Sequence, residues 1–187
     1  MDAFSYLSVL LSIILGLAIT QILQGFRDLM RARTRLRMYW PAVWWAGLLL
    51  VICVQEWWAM FSWRAYAAWT FQGFAVMLAQ TIATYLAAAL VLPELRDEET
   101  IDLRAYYYAN HRWFFAMLGL AVAISIVKDA ALNGALPRPL NLGAQLVFIG
   151  MATLVGVSRN ERVHQVIALV AGLLFAAYIA VLFARLQ

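Results

Sequence analysis

The stretch "FSYLSVLLSIILGLAITQILQGF", residues 4–26, decides the fold: it has twenty-three residues and no charge among them. A helix rises ~1.5 Å per residue, and the hydrocarbon core of a bilayer is ~30 Å thick, so about 20 apolar residues suffice to cross it. No basic stretch precedes this run and no small-residue cleavage site follows it, so it reads as a retained span and not a removable signal peptide.

Working outward, the same pattern recurs five times. Further spans are expected over about 39–61, 71–92, 113–132, 140–157 and 163–186. Pro41 suits a first helical turn, where its missing N–H is not needed. Pro93 ends the third run, and "NGALPRP" (133–139) is a turn between the fourth and fifth. The longest polar stretch, "PELRDEETIDLRAYYYANHR" (93–112), reads as a loop. The expectation is an all-α integral membrane protein forming one domain over residues 1–187, a six-helix transmembrane bundle. Composition agrees, with 65% apolar residues, 13% charged residues and a mean hydropathy of +0.79 over 187 residues.

Charge sets the expected orientation. Loops on one side carry Arg27, Arg31, Arg33, Arg35, Arg37, Arg96, Arg104, Arg112, Arg159 and Arg162, and the other side carries only Arg64, Arg138 and Arg185. Basic residues accumulate on the cytoplasmic side of short loops. Both termini are therefore expected outside with three hairpins pointing inward, in a cell membrane of the bacterial inner-membrane type. The net charge of +4 concentrates beside the first span, where anionic lipid is a nearer partner than nucleic acid. Arg31, Arg33, Arg35 and Arg37 are the candidate lipid-binding residues.

Three runs carry a small residue at every fourth position: Ser8, Ser12, Gly16, Thr20; Ala75, Ala79, Ala83, Ala87; and Ala168, Gly172, Ala176, Ala180, Ala184. Such ladders let helix backbones approach closely in lipid, within one chain or between copies in a homo-oligomer; Ala is also simply common in such helices. A faint likeness links "LRMYWPAVWWA" (36–46) to "LRAYYYANHRWFFA" (103–116), each entering a span from the Arg-rich side.

Ionisable residues within spans are costly and are functional hypotheses by default. The chain has thirteen Arg and a single Lys, Lys128, set beside Asp129 in an otherwise apolar run. Counting from the aromatic belts at ~1.5 Å per residue puts Glu56 and Lys128 at similar depth in the outer half. Ser125, Asp129 and Asn133 form one strip on the fourth span, while Thr84 falls in a drier inner half. Glu56, Gln80, Lys128, Asp129 and Gln145 are the candidate solute or ion pathway. Three roles stay open for the charges: anchoring at the interface, where a lysine stem can snorkel, a structural Glu56–Lys128 pair, or a solute site. A retinal-binding lysine is disfavoured, because rhodopsins carry theirs on a seventh helix.

On the Arg-rich face, Glu161 and His164 stand at i, i+3, the spacing of a carboxylate–histidine metal pair. His111 is the one other histidine, so no complete metal set is expected. The lone cysteine, Cys53, excludes an internal disulfide. No Gly-rich phosphate loop, nucleophile elbow, HExxH or CxxC motif occurs, and no catalytic residue or cofactor is assigned. The leading expectation is a channel or transporter subunit for a small polar or ionic solute. The alternatives are a non-catalytic module binding a protein partner or anionic lipid, and an Arg-face enzyme acting on a lipid phosphate or a metal-dependent substrate.

Overall fold

The structure is a computed structural model that describes residues 3–64, 66, 68–94 and 101–182. Arg96 and Arg185 of the charge tally, and Ala184 of the third ladder, lie outside these residues. The elements are α1 (Ala3–Arg31), β1 (Leu36–Arg37), α2 (Trp40–Met60), a 3-10 turn (Phe61–Trp63), α3 (Phe71–Val91), β2 (Ile101–Asp102), α4 (Leu103–Asn133), α5 (Pro139–Val157) and α6 (Glu161–Leu182). Six helices are long and apolar enough to cross a membrane. The protein is a multi-pass membrane protein built as a six-helix bundle.

Local signals start and stop these helices. Pro41 and Pro139 occupy the first turns of α2 and α5. The Thr70 hydroxyl accepts from the Gly73 amide at 3.1 Å to open α3, and an Asp102 carboxylate oxygen accepts from the Ala105 amide at 2.9 Å to open α4. Gly134, at φ 66°, ends α4 in the left-handed region that a side chain would disfavour.

α4 differs most from its apolar run. The run begins at Trp113, yet the helix begins at Leu103. Residues 103–112 continue the helix because one face of them is buried, at Leu103, Tyr107 and His111. Asp102 and Ile101 pair in parallel with Arg37 and Leu36, which ties the start of α4 to the Arg loop. The two stretches that look alike in sequence thus meet in space, with Tyr39 and Tyr107 rings 5.2 Å apart and Trp45 and Phe115 rings 4.9 Å apart.

Helices α2, α3, α4, α5 and α6 pack in that order, and α6 returns to α2, closing a ring of five. The ring closes on Trp44, whose indole N–H donates to the Ala168 carbonyl at 2.7 Å while its ring lies against Gly172. α1 stands outside the ring and packs on α2 and α3. Its buried face is Leu11, Leu15, Ala18, Ile22 and Leu29. Gly16 and Thr20, from its small-residue ladder, are exposed on another face. The ladders on α3 and α6 turn inward in part, at Ala83 and Ala87 and at Ala168.

Candidate functional site

The ring encloses a cavity of about 680 Å³, lined by all five of its helices and by no residue of α1. Most of the wall is apolar, with Phe148, Phe175 and Trp63 among its larger members. The polar lining brings together all five residues singled out as a pathway: Glu56 from α2, Gln80 from α3, Lys128 and Asp129 from α4, and Gln145 from α5. The Ser125, Asp129 and Asn133 strip of α4 faces the same space. The cavity reaches the end of the bundle where Ser62, Asn133 and Leu140 are exposed.

Glu56 is not the solvated interfacial carboxylate that its neighbours Trp57 and Trp58 suggest. It is 8% exposed, and its Oε2 accepts from the Thr84 hydroxyl at 2.8 Å. Helical counting places Thr84 in the opposite half of the membrane, so this contact corrects the depth estimate. The helices are offset along the bundle, and equal counts from their aromatic ends do not mark equal depths. Thr84 is the main member of the site that sequence reasoning passed over.

Lys128 faces the cavity between two carboxylates. No Lys128 N···O contact within 4.0 Å joins it to Glu56 or Asp129; the ion pairs among the described residues are Arg27–Asp28, Arg37–Asp102 and Arg104–Glu161. The direct Glu56–Lys128 pair expected as one alternative is therefore absent from this conformation. Three ionisable groups instead line one cavity with largely apolar walls, where weak screening lengthens the reach of charge.

Gln145 is half satisfied in the wall. It is 8% exposed, and its Nε2 donates a 3.3 Å bond to the Ser125 hydroxyl. Its Oε1 is buried with no hydrogen-bond partner in the protein. An unpaired buried carbonyl costs about 1–3 kcal/mol. Nearby, the Tyr178 hydroxyl donates to Asn141 Oδ1 at 2.9 Å.

Toward the Arg-rich end the cavity stops at the level of Ile52, Thr84, Leu118, Met151 and Leu174. Beyond it lies a plug of rings: Trp45 against Phe114 and Phe115, then Tyr107, Tyr108, Tyr39, His111 and His164. Tyr107 donates its hydroxyl proton to His164 Nδ1 at 2.8 Å, because His164 Nε2 must donate to the Ser158 carbonyl at 3.0 Å. Both nitrogens of His164 are thus committed. His111 Nδ1 donates to the Tyr108 carbonyl at 2.8 Å, and Glu161 bonds Arg104 at 2.7 Å. The His164 and Glu161 spacing consequently serves two separate contacts, and among the described residues no group of three or more His, Cys, Asp or Glu side chains is arranged to hold a metal.

Arg31, Arg33, Arg35 and Arg37 are exposed around β1. Arg33 donates to the Met30 carbonyl at 3.4 Å, and Arg37 stands 3.9 Å from Asp102.

No family model, curated protein or solved structure matches the chain.

Proposed function

We propose that the protein binds a small polar or ionic solute inside the membrane and passes it across, as a transporter or channel subunit. The observation that carries this reading is the cavity itself: Glu56, Lys128 and Asp129 line one space inside a ring of apolar helices. Polar groups are expensive at such a place, and Gln145 Oε1 keeps an unused acceptor there. A cavity open at one end and plugged by aromatic rings at the other fits alternating access better than a continuous pore. Two carboxyl groups and one amine in the same space offer hydrogen-bond donors and acceptors to a small polar or ionic solute.

The Arg asymmetry supports a topology with the open end of the cavity outside, in a cell membrane of the bacterial inner-membrane type. The exposed Arg31, Arg33, Arg35 and Arg37 support contact with anionic lipid at the inner face. The exposed Gly16 and Thr20 on α1 support assembly into a homo-oligomer.

Flux into proteoliposomes tests the main reading, with methylammonium, glycine, sodium and chloride as probes. Methylammonium or glycine should enter faster than into protein-free vesicles, and Glu56→Gln should reduce the excess rate by about tenfold or more, the scale of losing 1.4 kcal/mol of binding. Rates equal to those of protein-free vesicles for every probe would refute the reading.

A further inference from the structure

The lining of the central cavity is sorted along its axis. On α4 it runs from Leu118, Ala121 and Val122 near the closed end to Ser125, Lys128 and Asp129 nearer the open end. The same order appears from Ile52 to Gln55 and Glu56 on α2, and from Met151 and Phe148 to Gln145 on α5. On α6 it runs from Leu174 and Phe175 to Tyr178. α3 departs from it, because Thr81 and Thr84 lie deep. Their hydroxyls donate to the Met77 carbonyl at 3.0 Å and to Glu56 Oε2 at 2.8 Å. The other helices of the ring thus build an apolar floor with a belt of polar groups above it. Lys128 is six residues beyond Val122, so belt and floor stand about 9 Å apart at ~1.5 Å per residue. Past the belt the lining is mixed, with Ser62 and Asn133 beside Trp63 and Leu140.

We propose that the solute of this site is an amino acid with a bulky apolar side chain, its amine and carboxyl ends held in the belt and its side chain directed to the floor. This rests on the cavity being a solute site and names the class of solute.

The belt matches both ends of such a molecule. Glu56 and Asp129 supply carboxyl groups and Lys128 an amine, and no carboxylate oxygen of the described residues lies within ion-pair distance of Lys128. A carboxyl and an amine share one hydrogen bond whichever of them carries the proton, so the match does not depend on how the three groups are protonated. A solute with an amine alone would leave Lys128 without a carboxyl partner. One with a carboxyl alone would leave Glu56 and Asp129 without an amine. The floor matches the side chain: Leu118, Ala121 and Phe175 are buried there, and glycine would leave the space above them unfilled. The cavity volume of about 680 Å³ has room for the larger side chains.

The test is binding of radiolabelled phenylalanine to the intact protein in nanodiscs, with unlabelled competitors. Phenylalanine should displace the label at about tenfold lower concentration than glycine, the scale of burying one apolar side chain. Phenethylamine and 3-phenylpropionate keep the ring and lack one end each. Both should need about tenfold more than phenylalanine, the scale of one charge-assisted hydrogen bond. Lys128→Met should narrow the gap between phenylalanine and phenethylamine at least fivefold, which a loss of packing alone would not do. Val122→Phe raises the floor and should narrow the gap between phenylalanine and glycine at least fivefold; it carries the test if Lys128→Met does not fold. Phenethylamine or 3-phenylpropionate competing as well as phenylalanine would mean that one end alone is read and would overturn the proposal, as would glycine competing as well. If methylammonium or glycine is moved into proteoliposomes while phenylalanine does not bind, this inference fails and the solute site stands. If nothing binds and nothing is moved, both fail.

Discussion

Thr84 on α3 donates its hydroxyl hydrogen to Glu56 Oε2 on α2 at 2.8 Å, while its own oxygen also lies 3.2 Å from the Gln80 carbonyl of the preceding turn. The bond fixes a buried carboxyl in the wall of the central cavity. Thr84→Val keeps the shape and removes the donor. It should destabilise the protein by about 1–3 kcal/mol, the cost of leaving a buried acceptor unpaired. Combined with Glu56→Gln, the coupling should lie near the ~0.6 kcal/mol average for polar contacts between membrane helices. Unfolding titrations in mixed detergent micelles measure it, and strict additivity would argue against the contact.

Lys128 behaves differently because no carboxylate oxygen of the described residues lies within ion-pair distance of it. Lys128→Met and Glu56→Gln should each slow methylammonium or glycine flux by about tenfold. Their stability effects should couple modestly, through the shared, weakly screened space and not through a direct contact. A double variant markedly more stable than the sum of the singles would reveal a direct pair in a second conformation.

Gly172 sits under an indole. A Cβ built there would lie 2.5 Å from Trp44 Cζ2, so Gly172→Ala forces the ring away and strains its bond to the Ala168 carbonyl. Overpacking of this kind costs about 1–3 kcal/mol. A lowered thermal midpoint is expected, with part of the loss recovered in Gly172→Ala combined with Trp44→Phe. An unchanged midpoint for the single variant would show that α2 and α6 separate freely.

Topology follows from the Arg asymmetry. In a Cys53→Ala background, a cysteine placed at Leu136, beside Arg138, should react with an impermeant thiol reagent applied to intact cells. One at Thr34, beside Arg33, should react only after permeabilisation. The reverse pattern would invert the proposed orientation of the cavity.

The Arg loop is expected to hold anionic lipid, each basic residue near a charged surface contributing about 1 kcal/mol. Changing Arg31, Arg33, Arg35 and Arg37 together to Gln should deplete anionic lipid from the purified protein, as measured by mass spectrometry of extracted lipid. Retention equal to the wild type, in protein shown by cysteine labelling to be correctly inserted, would rule the loop out.

Much of the bundle was legible because hydrophobic length is a local property. The apolar runs and the punctuation by Pro41, Pro139 and Gly134 name six helices without any knowledge of their neighbours. The strip Ser125, Asp129 and Asn133 was legible for the same reason, as helical periodicity alone puts these residues on one face. What lay beyond reach depends on offsets between helices. Thr84 meets Glu56 only because α3 is displaced along α2, and no count along either helix contains that displacement. Likewise the polar start of α4 reads as loop until Tyr107 and His111 are seen to have a ring cluster waiting for them. Glu161 and His164 share a spacing but not a destination, since one reaches Arg104 and the other turns inward to Tyr107.

The ring closes on partners 124 residues apart in sequence, Trp44 and Ala168. During synthesis α2 therefore waits for α6 before its own edge is sealed. Until α6 leaves the ribosome, the walls bearing Glu56, Lys128 and Gln145 form an open trough with one side on lipid. A chain arrested after α5 would leave these groups on an edge that faces lipid.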